Sequence, residues 1–163
     1  MHEQLELISP KVIARWFVNH ADRDAGDVVT QLKLQKLVYY AEAWFLANFD
    51  RALIAEDFEA WAHGPALRSL YAKYRDYGWE ALPPESGRRP PESIADFLKA
   101  VYEEYGQYSA KKLERMTHQE APWLDAREGL LPEAASQRVI PKLSIRNFYA
   151  ARIGKEKIQK LQN

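Results

Sequence analysis

Four histidines, His2, His20, His63 and His118, are the side chains here most able to move a proton or hold a metal near neutral pH. Their spacing argues against both uses. His118 and Glu120 are two apart, on different faces of a helix, and no His-Glu-x-x-His pair places two imidazoles side by side. Cysteine is absent, which removes thiolate zinc sites, disulfides and a sulfur nucleophile together. Ser69 and Ser109 lack a Gly-x-Ser-x-Gly elbow. The seven glycines are scattered and form no phosphate-cradling loop. Glu103-Glu104 reads as a solvated helix flank. These patterns imply no catalytic centre, no metal and no cofactor. The histidines are expected to bond to backbone from surface or half-buried positions.

A second set of residues is richer. Leu32-Lys33-Leu34-Gln35-Lys36-Leu37-Val38-Tyr39-Tyr40-Ala41 is followed by Glu59-Ala60-Trp61-Ala62-His63-Gly64-Pro65, running into Leu67, Leu70 and Tyr71, and then by Thr117-His118-Gln119-Glu120-Ala121-Pro122-Trp123. Each mixes large apolar groups with a few polar ones, which suits a scaffold with a recognition surface better than a reaction centre. Lys33, Gln35, Lys36 and Tyr39 interleave with an apolar stripe and are expected at solvent or its margin. Trp61 to Pro65 is expected at the head of a helix, where free backbone N–H groups can receive an acidic side chain. In Tyr71-Ala72-Lys73-Tyr74-Arg75-Asp76-Tyr77, Tyr71 and Tyr74 are expected to face the core. Tyr and Arg are also types enriched at protein–protein hot spots.

The elements that must position these groups are mostly helical, because apolar residues recur at helical spacing in segment after segment. Ser9 and Pro10 open the first helix as cap and first residue. Thr30 caps a central helix burying Leu34, Leu37, Val38, Trp44 and Phe45. Residues 53–61 suggest a short β-hairpin-like element, with Gly64-Pro65 starting the next helix and Gly78 ending it. Pro83 to Pro91 is a loop. A regular helix then carries Ile94, Phe97, Leu98 and Val101 up to Gly106. Ser109 caps another, Pro122-Trp123 begins a short one, and the last starts near Lys142 with Leu143, Phe148 and Tyr149 inward. The expected fold is mainly α: a compact single-domain bundle of about six to seven helices over residues 1–163, with a helical tail over 142–163.

Composition sets further bounds. Hydrophobic residues make up 47% of the chain and formal net charge is +0, so a core is assured and no global basic excess favours a polyanion. Charge is uneven: Arg138, Lys142, Arg146, Arg152, Lys155, Lys157 and Lys160 face only Glu133 and Glu156 after Leu130, a solvated tail or a patch for an acidic partner. No basic region followed by an apolar run marks a signal peptide. No apolar stretch approaches the roughly 18 residues of a membrane span. The expected location is the cytoplasm, without membrane contact.

With the three motifs in order, the chain resembles the Panacea domain family, SocA-like and phage-associated. The resemblance rests on Leu32 through Ala41, on Ala60-Trp61 with Gly64-Pro65, Leu70-Tyr71 and Tyr77-Gly78, and on Thr117-His118 with Pro122-Trp123; it spans about residues 9–127. His63 stands where a bulkier residue is common before Gly-Pro. The resemblance implies a bacterial antitoxin that binds a toxin encoded nearby and blocks it by direct contact, or an adaptor handing the toxin to the ClpXP protease. It implies a compact, mainly helical domain with a small strand element.

The expected function is therefore toxin neutralisation by protein–protein binding, without enzymatic activity. Gln35, Lys36, Tyr39, Trp61, His63, Arg68 and Tyr71 are expected near the interface. Trp16, Leu34, Leu37, Val38, Phe45, Phe97 and Val101 are expected in the core. Replacing Lys36 or Arg68 is expected to leave folding intact. The rival readings are the protease adaptor, a DNA-binding autoregulator and a hydrolase; balanced charge and the lack of a clear recognition helix weigh against nucleic acid. Oligomeric state does not follow from these patterns.

Overall fold

Local signals start the helices. In α1 (Pro10–His20) the Ser9 side chain accepts the Lys11 N–H and Pro10 takes the first position, where a missing N–H costs nothing. In α2 (Gln31–Phe49) the Thr30 hydroxyl accepts the Lys33 N–H. Asp50 closes α2 in the left-handed region. The computed structural model describes residues 6–153. The expectations for Lys155, Glu156, Lys157, Lys160, the rest of the tail after Ile153 and His2 lie outside the described residues.

α2 is buried from Lys33 to Leu46 without a break. A helix enclosed on every side is a core element rather than a surface one. It touches α1, α3 (Arg68–Tyr74), α4 (Glu92–Tyr105), α5 (Ala110–His118) and α7 (Lys142–Ala150). α6 (Ala121–Arg127) packs on α7. Seven α-helices, two 3-10 turns (Arg23–Ala25 and Arg75–Tyr77) and one two-stranded sheet are the regular elements of the described residues, so the fold is mainly α as expected. Gly78 ends the 3-10 turn Arg75–Tyr77 that extends α3.

The strand element lies further along the chain than expected. β1 (Glu59–Trp61) pairs antiparallel with β2 (Gly64–Ala66), so the hairpin occupies 59–66 rather than 53–61. Gly64-Pro65 is strand, not helix start. Two buried side chains of α2 explain this. The Glu42 carboxylate accepts the N–H groups of Leu53 and Ile54 at 2.8 and 3.1 Å, so that stretch needs no strand partner. The Gln35 amide accepts the Leu67 N–H at 2.8 Å and donates to the Leu67 carbonyl at 3.0 Å. That pair holds the backbone extended through Leu67, and the helix begins only at Arg68. The outer edge of β1 is covered by residues 138–140, through Ala60 N–H to the Arg138 carbonyl and Ile140 N–H to the Phe58 carbonyl.

The proline-rich loop folds back onto α1. Arg15 donates to the Arg88 carbonyl at 2.8 Å, and the Asn19 amide bonds both backbone groups of Glu85. In α7 the buried stripe is Ile145 and Tyr149, with Phe148 beside it. Leu143, expected inward, is 68% exposed, because two residues before Ile145 it falls on the opposite side of the helix. Trp16, expected in the core, is partly buried against it and stacks on His20 at 4.5 Å between ring centres.

Candidate functional site

The polar residues of the first motif do not face solvent. Lys33, Gln35, Lys36 and Tyr39 are all buried, because other elements close over the side of α2 that carries them. Tyr39 sits wholly inside a ring cluster with Phe58, Tyr40 and Tyr149 and reaches no surface. Lys36 is 1% exposed and threads beneath the hairpin, where Nζ donates to the Pro65 carbonyl at 3.0 Å. Burial lowers its pKa to about 7, against a partial pull upward from Glu114. The position above it must be glycine. Gly64 has φ of +105°, and a Cβ there would lie 2.5 Å from Lys36 Cε and 2.9 Å from Thr117 Oγ1. Lys36, Gly64 and Thr117, one from each motif, are thus a single packed unit.

The third motif braces the hairpin from behind. His118 stacks on Trp123 with centroids 4.1 Å apart, and burial lowers the imidazole pKa. Trp123 Nε1–H donates to the Trp61 carbonyl at 2.8 Å. Arg127, four residues on, lies over the Trp123 ring at 4.5 Å. It donates to the carbonyls of Ala60 at 2.9 Å, Leu131 at 2.8 Å and Ala134 at 2.7 Å. Glu120 accepts the hydroxyls of Tyr40 and Tyr149 at 3.1 and 2.7 Å. Sequence reasoning missed Arg127; its one visible signal was a cation spaced four residues from a tryptophan on a helix.

The front of the hairpin stays open. A cleft of about 320 Å³ lies between the start of α2, the hairpin and the residues after α3. Gln35 and Lys36 lie at its base, and Trp61, His63, Tyr71 and Trp79 are among its walls. The structure therefore brings five of the seven expected residues together. Trp61 and Tyr71 meet edge to face at 5.3 Å, and the Trp61 indole N–H is fixed on Glu59 at 2.8 Å. Tyr71, expected to face the core, is 45% exposed. Trp79 is 75% exposed and was not foreseen. Its signal was a bulky aromatic directly after a helix-ending glycine, with no periodic partners.

Two expected residues stand apart. Tyr39 is core. Arg68 lies outside the cleft, where its guanidinium holds both Glu59 oxygens at 3.1 and 3.2 Å and Gln137 at 3.1 Å. The anion site expected at a helix head is also filled from within. The Leu67 N–H is taken by Gln35, and the Ser69 N–H and hydroxyl by Glu56. His63 Nδ1 lies 3.0 Å from Glu114 Oε1, with Lys111 Nζ 3.3 Å from the other oxygen. Burial pushes the Glu114 carboxyl up, but these two bonds outweigh it and hold its pKa below the usual range.

The cleft is walled mainly by aromatic side chains. No three His, Asp or Glu side chains converge to hold a metal ion among the described residues. No Asp or Glu lines the cleft. Among the described basic residues after Leu130, Lys142 pairs with the buried Glu42, while Arg138 pairs with Glu128 and Arg146 with Asp50 at the surface. No described helix is long and apolar enough to cross a membrane.

Residues 34–124, more than half of the chain, match the family described as antitoxin SocA-like, Panacea domain. The match runs from α2 into α6 and takes in the hairpin, the Lys36–Gly64–Thr117 unit and most of the cleft. No curated protein and no solved structure gives a significant match.

Proposed function

Since the chain belongs to the SocA-like antitoxin family that carries the Panacea domain, we propose that it neutralises a cognate toxin protein encoded beside it, by direct contact through the aromatic cleft. The observation behind this reading is the cleft itself: Trp61, Tyr71 and Trp79 stand on a framework whose hydrogen bonds are made internally. Rigid aromatic side chains around a preformed groove lose little entropy on binding and dominate interface energies. The mechanism is occlusion. An interface of roughly 1,200–2,000 Å² covers the toxin's working surface, with the cleft at its centre and Arg68 at its rim. The protein acts in the cytoplasm and makes or breaks no bond itself.

The test is co-expression with the neighbouring open reading frame. That frame should be lethal alone and harmless together with this protein. Tyr71→Ala and Trp79→Ala should leave the melting temperature near wild type while weakening toxin binding about ten- to a hundredfold. Full neutralisation by both variants would place the docking face elsewhere. Pulse-chase of the toxin separates mechanisms: toxin that persists while harmless is occluded, and toxin that disappears only when ClpXP is present is delivered for degradation.

A further inference from the structure

The cleft has a chemical bias that its aromatic walls alone do not explain. Its lining carries one lysine and one histidine and no carboxylate. Lys36 lies in the lining with Cε and Nζ packed directly beneath Gly64, in the space a side chain there would take. The Pro65 carbonyl is its one hydrogen-bond acceptor among the described residues, whereas an ammonium has three N–H donors. Glu114, the acid whose charge acts on it, is already held by His63 and Lys111. Gln31 and Gln35 each commit one side-chain N–H, to the carbonyls of Gly78 and Leu67, and neither carries a charge. Lys36 is the cation at the cleft base with donor capacity left over.

Resting on the antitoxin reading, we propose that the cleft recognises a partner segment in which a large apolar side chain stands next to an Asp or Glu, the apolar group packing against Trp61, Tyr71 and Trp79 and the carboxylate accepting from Lys36. Charge complementarity selects this occupant. A cationic segment would set its charge against Lys36 with no acid in the lining to answer it. A wholly apolar segment would fill the walls and leave the ammonium's spare N–H groups unpaired. A carboxylate satisfies them with charge-assisted bonds, which are about twice as strong as neutral ones.

A matched pair of acetylated, amidated peptides tests this: Ser-Gly-Phe-Asp-Gly-Ser and the same sequence with Asn for Asp. Binding to the full chain at pH 6 is read from the indole N–H resonances of Trp61 and Trp79. The acidic peptide should bind at least about tenfold more tightly than its neutral twin. Lys36→Met, which keeps the apolar stem, should bring the two affinities together. Tyr71→Glu, at an exposed position, should selectively weaken the acidic peptide. Equal affinities in wild type, discrimination that survives Lys36→Met, or no binding by either peptide would each overturn the proposal. Toxin neutralisation measured on the same variants keeps the two readings apart. Neutralisation that persists in Lys36→Met sinks the carboxylate site and leaves the antitoxin function standing. Peptide discrimination in a protein that neutralises no neighbouring toxin does the reverse.

Discussion

Lys36 holds its amine under a glycine instead of in water, and this has a measurable consequence. In the unfolded chain the amine titrates near its ordinary 10.5, and in the folded protein near 7 because burial disfavours the charge. Between those values the unfolded chain binds more protons, so this residue makes stability rise with pH. Below pH 7 both states are protonated and the full penalty of burying the ammonium is present. In Lys36→Met that slope is gone. Wild type should therefore gain on the variant between pH 7 and 10, by on the order of 2–4 kcal/mol at about 1.4 kcal/mol per unit of pKa difference. Urea unfolding at the two pH values checks it, and parallel profiles would show that the amine stays charged in the fold. The expectation that Lys36 could be replaced without touching folding treated it as helix exterior, and its burial removes that premise.

Between elements, the hairpin is held by side chains that reach across to its backbone. Arg127 is the principal strut, tying α6 to β1 and to the turn at residues 131–134. Arg127→Ala would remove a donor from four carbonyls, those of Ala60, Leu131, Pro132 and Ala134, and take away the cation stacked on Trp123. The expected loss is about 3–5 kcal/mol in urea or thermal unfolding, with faster amide exchange along residues 59–66. Arg127→Lys should recover only part of it, since a single ammonium cannot fork to the Ala60 side and the turn at once. An unchanged exchange rate in β1 would mean that α6 is not what supports the hairpin. The helix caps at Ser9, Thr30 and Ser109 were readable in advance, because each bonds an N–H two or three residues away. Arg127 was not, because its partners lie up to 67 residues off.

For the molecule as a whole, the enclosure of α2 decides what is core and what is interface. Leu37 is fully buried there, and Leu37→Ala should cost about 2–5 kcal/mol and lower the melting temperature. Any loss of toxin binding in that variant should follow the unfolded fraction. Tyr71→Ala and Trp79→Ala should show the opposite pattern, with a normal melt and weakened binding. A Leu37→Ala protein that melts like wild type would contradict the central position of α2. The same enclosure explains why the candidate site could be read only in part. Trp61 and His63 were recognisable from residue type and neighbourhood. Gln35 and Lys36 belong to the cleft, but as its base rather than as an outer helix face. Tyr39 does not belong to it, since Phe58 and Tyr149 close over it from remote segments.

By itself the sequence determined the helical class, the side-chain-capped helix starts at Ser9, Thr30 and Ser109, the absence of thiol chemistry and the family, because these depend on periodicity, on bonds between near neighbours and on ordered motifs. The tertiary structure alone decided which side of each element meets water. It turned Gly64-Pro65 from a helix start into a strand, moved Tyr71 from core to rim and sank Lys36 below the hairpin. Exposure is set by whatever packs from distant parts of the chain, and a helix covered on all sides has no polar face for its sequence to announce.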